Sequence, residues 1–136
     1  MITKNYSELK SIIDALNGIN NIDPTTNKEI KDKLSYGMSR LIDRVNSVSK
    51  KYREQLDDIN VEYAQTDKDG ILLYDEKGNY KYTKDGFKKR KAAIDELEGK
   101  TFDIEPYIVK DCPRINDLSY YVQIGLNGLL FNIELE

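Results

Sequence analysis

The sequence predicts an α+β fold: one long amphipathic helix packed by two or three shorter helices, with a small antiparallel β-sheet or hairpin at one end. Three observations lead there. Ile30, Leu34, Met38, Leu41, Val45, Val48, Tyr52, Leu56, Ile59 and Tyr63 recur mostly every three or four residues, the period of one helix face. Ile71 to Tyr74 and Tyr80 to Thr83 are short β-prone runs joined by the turn-forming Asp75-Glu76-Lys77-Gly78-Asn79. Phe87, Ile94 and Leu97 then share one face of a further, strongly charged helix. A length of 136 residues suits a single domain over 1–136.

Taken in chain order, Tyr6, Leu9, Ile12, Ile13 and Leu16 mark a short amphipathic helix over ~5–17, with Asn17-Gly18 as its C-cap. A polar loop holding Asp23-Pro24 follows. Thr25, Thr26 or Asn27 caps the long helix, ~27–64, and Glu29 and Asp32 lie near its positive end. From Leu34 to Tyr52 the steps are 4-3-4-3-4, a heptad-like seam, and the next step of four to Leu56 is a stutter. Gly37 is read as a small residue admitting a neighbouring helix, with a kink as the alternative. About 36 residues at ~1.5 Å rise make a rod of roughly 54 Å. A compact body of this size spans about 37 Å. The rod therefore overhangs the body, breaks, or is covered by a partner.

Beyond it, Asp67-Lys68-Asp69-Gly70 is a turn, ~71–83 a β-hairpin, and ~86–98 a helix capped by Asp85 and ended by Gly99. Thr101 to Val109 reads as an edge or bent strand interrupted by Pro106. Ile115, Leu118, Val122, Leu126, Leu129 and Ile133 fit a helix begun by Asn116 or Asp117. Gly125 and Gly128 weaken it, and a strand over Leu130 to Leu135 is the alternative. No internal repeat is visible.

Composition excludes several chemistries. The chain has no histidine and one cysteine, Cys112. Ser–His–Asp and Cys–His arrangements are therefore absent, as are a histidine metal ligand, a cysteine-based structural zinc site and an intramolecular disulfide. Charged residues make up 33% with a net charge of −3, so the chain lacks a strongly basic footprint. No signal-peptide-like apolar segment opens it and no apolar run approaches ~20 residues. The expectation is a non-enzymatic protein of a reducing cytoplasm, with no membrane, metal or cofactor.

Local clusters are weighed in that light. Asp67-x-Asp69-Gly70 resembles part of a calcium loop but lacks the closing glutamate, so it reads as a turn. Asp57, Asp58 and Glu62 read as a solvated helix face. Lys81, Lys84, Lys88, Lys89, Arg90 and Lys91, interleaved with Tyr80, Tyr82 and Phe87, form the strongest charge bias. Such a run suits nucleic acid by charge and stacking, or an acidic protein surface; its simpler reading is a solvated helix.

Ala15-Leu16-Asn17, Lys33-Leu34-Ser35-Tyr36-x-Met38-Ser39-Arg40, Tyr63-Ala64-x-x-Asp67-x-Asp69-Gly70, Gly78-Asn79-Tyr80 and the region near Phe102-Asp103-Ile104 carry a resemblance. Over residues ~9–109 the chain resembles small accessory proteins encoded by tailed phages and prophages. The resemblance implies a viral origin and an accessory role, and brings no site residue with it. The expected function is stoichiometric binding of a host or phage macromolecule, with inhibition of a host defence system such as CRISPR–Cas as the example. The expected partner is a protein, met through Arg40, Arg44 and Tyr52 on the long helix and Lys88, Lys89 and Arg90 on the basic run. The alternatives are a morphogenesis factor that self-associates through its long helix and a nucleic-acid-binding accessory protein. The seam suggests that the N-terminal half of the long helix carries the interaction surface.

Overall fold

The computed structural model describes residues 1–22 and 28–134. The chain divides into two compact units: Met1–Ser49 with Thr101–Glu136, and Lys50–Lys100. In order, the elements are β1 (Ile2–Asn5), a 3-10 turn (Tyr6–Glu8), α1 (Leu9–Asn20), α2 (Lys28–Tyr63), α3 (Lys84–Gly99), β2 (Thr101–Ile104), a 3-10 turn (Ile115–Asp117) and α4 (Tyr120–Leu126). The expected α+β class and the long helix are both present. The proposed caps at Thr25, Thr26 and Asn27, and the Asp23-Pro24 loop, lie outside the described residues.

The first unit holds most of the core. β1 and β2 pair antiparallel, Ile2 opposite Ile104 and Lys4 opposite Phe102, and the Thr3 hydroxyl donates to Asp103 Oδ1 at 2.6 Å. Their inward residues Phe102 and Ile104 are buried. Along α1, Leu9, Ile12, Ala15, Leu16 and Ile19 form the buried stripe. Asn17-Gly18 does not end this helix as expected. Gly18 lies inside it, and a Cβ there would stand 2.5 Å from Tyr121 Oη and 2.7 Å from Val122 Cγ2 of α4. Gly125 of α4 reciprocates: a Cβ there would stand 2.6 Å from Ala15 Cβ and 2.8 Å from the Ser11 carbonyl. The two helices thus meet through small residues.

The first half of α2 closes this core, with Ile30, Leu34, Met38, Leu41 and Val45 at most 4% exposed. Gly37 does admit a close neighbour, but no helix. A Cβ on it would stand 2.8 Å from Leu130 Cδ1, 2.9 Å from Tyr107 Cδ1 and 3.0 Å from Val109 Cγ2. Tyr107 and Val109 donate their amides to the Leu129 and Leu130 carbonyls, so an extended pair of segments runs there. The C-terminal helix is shorter than the apolar spacing suggested. It ends at Leu126, and Gly128 turns the chain at φ +83° so that Phe131 bridges back to Asn127. Leu129, Leu130 and Phe131 are then buried by a turn rather than along a helix.

The second unit joins the last turns of α2 to α3 through residues 64–83. These contain isolated antiparallel bridges, Thr66 with Leu72 and Tyr74 with Tyr80, in place of a continuous hairpin. Gln65 donates to the Lys81 carbonyl, Lys81 to Leu73 and Leu73 to Gln65, a closed backbone triangle of residues eight apart. The spacing reflects a repeat that the sequence reading missed. Asp67 Oδ1 accepts from the amides of Asp69 and Ile71, and Asp75 Oδ1 accepts from Lys77 and Asn79. Gly70 and Gly78 close these turns at φ +82° and +80°. Eight residues on, Thr83 Oγ1 accepts from the Gly86 amide and starts α3. The cap is therefore Thr83, with Asp85 in the first turn instead of the capping place expected for it.

Candidate protein interface

α2 and α3 run antiparallel within the second unit, as two contacts fix. Arg90 Nε donates to Asn60 Oδ1 at 2.7 Å, and Tyr52 Oη donates to Glu98 Oε1 at 3.4 Å. Between these ends Leu56, Ile59, Ala93 and Ile94 are only half-buried, as is Tyr63 just beyond Asn60. Leu97, 2% exposed, is the one buried hydrophobic side chain among the described residues of this unit. The same seam of α2 is therefore closed in the first unit and open in the second, the reverse of the expected location. On one flank of the hairpin lies a groove of about 270 Å³, lined by Gln55, Asp58, Ile59, Ala93, Glu96, Leu97 and Lys100.

Within the second unit both helices run from a mainly basic stretch to an acidic one, Asp85 being the exception. In α2, Lys50, Lys51 and Arg53 precede Glu54, Asp57, Asp58 and Glu62; in α3, Lys84, Lys88, Lys89, Arg90 and Lys91 precede Asp95, Glu96 and Glu98. Glu62 in the last turn of α2 and the acids in the last turns of α3 oppose each helix's own dipole, at a typical ~0.3–1 kcal/mol apiece, whereas Glu29 and Asp85 in the first turns favour it. The antiparallel pairing compensates, setting the basic stretch of each helix beside the acidic stretch of the other. Asp57, Asp58 and Glu62 are thus one half of a charge match. Among the described residues no group of His, Cys, Asp or Glu is placed to hold a metal ion.

Four of the expected contact residues are engaged within the fold. Arg40 donates from Nε and Nη2 to Tyr36 Oη at 3.1 and 2.8 Å and lies over that ring, which meets Tyr107 edge-on. The Tyr36 hydroxyl raises the Arg40 pKa further above its ordinary value. Arg44 Nη1 donates to the Glu105 carbonyl at 2.9 Å. Arg90 lies over the Tyr82 and Phe87 rings at 5.0 and 5.8 Å; Tyr82 is half-buried there, whereas Phe87 stays 54% exposed. Tyr52 has the Glu98 contact. Lys88 is exposed, and Lys89 pairs with Asp85 at 3.2 Å on the surface, an interaction of about 0.3–0.5 kcal/mol at most. Asn60, Glu98 and Leu97, which sequence reasoning did not single out as contact residues, position the hairpin. Their common signal was proximity in space, not spacing in sequence.

Burial, followed by the neighbouring Glu98 charge, raises the Tyr52 phenol above its ordinary value. Its neutral form is the one the fold favours. The stability it contributes is full below the unfolded tyrosine pKa and is lost as pH rises through the folded value. An absorbance titration should show one phenol ionising late, accompanied by loosening of the hairpin, and Tyr52→Phe should remove both. Cys112 sits in the other unit, where burial raises its thiol pKa and Lys33 opposes weakly. Iodoacetamide should alkylate it more slowly at neutral pH than a free thiol, an expectation that mass spectrometry checks.

No protein-family model, curated protein or solved structure matches the chain. No helix of the described residues is long and apolar enough to cross a membrane.

Proposed function

We propose that this protein is a non-enzymatic binding protein that acts stoichiometrically on a macromolecular partner, using the α2–α3 hairpin as its contact element. The observation that carries the reading is the open seam. Five apolar residues of α2 are sealed in the first unit, whereas Leu56, Ile59 and Tyr63 stay half-buried in the second. Half-covered apolar surface flanked by organised charge is the composition of a recognition surface. A chain with no histidine and one cysteine also lacks the commonest acid–base and nucleophilic groups. The resemblance to tailed-phage accessory proteins supplies the setting: action in the cytoplasm of a bacterial host, on a host or phage macromolecule, with defence complexes of the CRISPR–Cas kind as one target class.

The test is retention from host lysate on the immobilised full chain, compared with an Ala93→Arg chain whose groove is filled. A partner held near one-to-one by the unsubstituted chain alone is the expected result. Identical retention by both chains overturns the reading, and so does none by either when the chain is also a monomer in solution.

A further inference from the structure

We propose that the hairpin's partner is the same hairpin of a second copy, joined across a two-fold axis as an all-antiparallel four-helix bundle. This rests on the hairpin being the binding element and adds the identity of what it binds. A pair of helices covers only one side of each apolar stripe, so Leu56, Ile59, Tyr63, Ala93 and Ile94 remain half-buried. Two further helices complete such a seam.

The charges call for antiparallel neighbours, and the groove places the axis. Within the second unit each helix is mainly basic in its earlier stretch, Asp85 excepted, and acidic in its later one, so it complements an antiparallel copy of itself. A two-fold axis lying in the interface and crossing both helices at right angles sets α2 against the second α2 and α3 against the second α3, both antiparallel. Lys50, Lys51 and Arg53 then face Asp57, Asp58 and Glu62 of the other copy. Lys88, Lys89 and Lys91 face Asp95, Glu96 and Glu98 of the other copy. All four neighbouring pairs around the bundle become charge-matched, and a parallel arrangement would oppose like charges throughout. The signs reverse around Gln55 in α2 and Ala93 in α3, and these two residues line the same groove. The axis passes there, where alanine allows close approach and Ile59 and Leu97 form the floor. A polyanion such as nucleic acid fits less well, because Asp57, Asp58 and Glu62 adjoin the basic stretch.

The test uses the full chain in three forms. The unsubstituted chain should sediment as a reversible dimer at tens of micromolar, with the dimer weakening about tenfold between about 0.05 and 0.5 M salt. In a Cys112→Ser background, Gln55→Cys should form a disulfide-linked dimer under mild oxidation. A Lys50→Glu/Lys51→Glu chain and an Asp58→Lys/Glu62→Lys chain should each be monomeric alone and form a heterodimer when mixed. That rescue separates lost pairing from lost folding. A strict monomer at low salt, or a dimer with neither the Gln55→Cys crosslink nor the rescue in the mixture, overturns the second copy as partner. If that monomer still retains a lysate protein that Ala93→Arg loses, the binding reading survives alone; if it does not, both fall.

Discussion

A Gly125→Val chain should lose the folded first unit. A Cβ at Gly125 would stand 2.6 Å from Ala15 Cβ and 2.8 Å from the Ser11 carbonyl oxygen. The second neighbour is backbone in the first turn of α1, so no rotamer change relieves it. α4 would have to lift off α1, opening the cover over Ile12, Leu16, Val122 and Leu126, all of them buried. Overpacking typically costs about 1–3 kcal/mol. With backbone as the obstacle we expect about 3 kcal/mol or more, against a typical total of ~5–15 kcal/mol. Urea unfolding followed by circular dichroism should show a much lower midpoint or no transition. Gly99→Ala is the control, since nothing lies within 4 Å of a Cβ there. Its stability should be unchanged or slightly higher, and an equal loss in both chains would refute the close-packing account.

Leu97→Ala should melt the second unit and leave the first folded. Leucine-to-alanine changes in cores cost about 2–5 kcal/mol. Here the lost side chain is the one buried hydrophobic among the described residues of its unit, so little remains to hold α3. The Arg90–Asn60 and Tyr52–Glu98 contacts sit at the two ends and are half-exposed to water. Hydrogen exchange read by mass spectrometry should show α3 and the last turns of α2 unprotected, with α1, α4 and the first half of α2 unchanged. Protection retained across residues 84–99 would show that the charge match alone sustains the pair.

The long helix was legible because its apolar residues keep one face for ten successive positions, and the expected ~27–64 lies within a residue of Lys28–Tyr63. α3 was legible for the same reason. β1 was not: Ile2-Thr3-Lys4-Asn5 is short and no hairpin partner follows it in sequence, its partner lying at Thr101–Ile104. The C-terminal segment kept a helical apolar rhythm that the positive φ of Gly128 overrides. The interface was legible in pieces. The acidic cluster and the basic run were both visible, yet only the pairing of Asn60 with Arg90 sets them side by side. Arg44 illustrates the remainder, since its acceptor is a backbone carbonyl that leaves no trace in side-chain identity. The turns at Asp67, Asp75 and Thr83 share their spacing more clearly than their residues, and so escaped notice as a repeat.

The division of the chain into a contiguous unit and an interrupted one has a consequence during synthesis. Residues 50–100 need nothing from outside their own stretch to form their turns and helix pair. β1, by contrast, waits for Thr101–Ile104, and α1 waits for α4. At about 5–20 residues per second, β1 emerges on the order of 5–20 s before its partner strand. Through that interval the apolar faces of α1 and early α2 are exposed on the nascent chain. The insertion of the hairpin thus delays burial of the main core, and a ribosome-bound chain stalled so that residues 1–100 alone have emerged should already hold the hairpin while its first 49 residues still recruit chaperones.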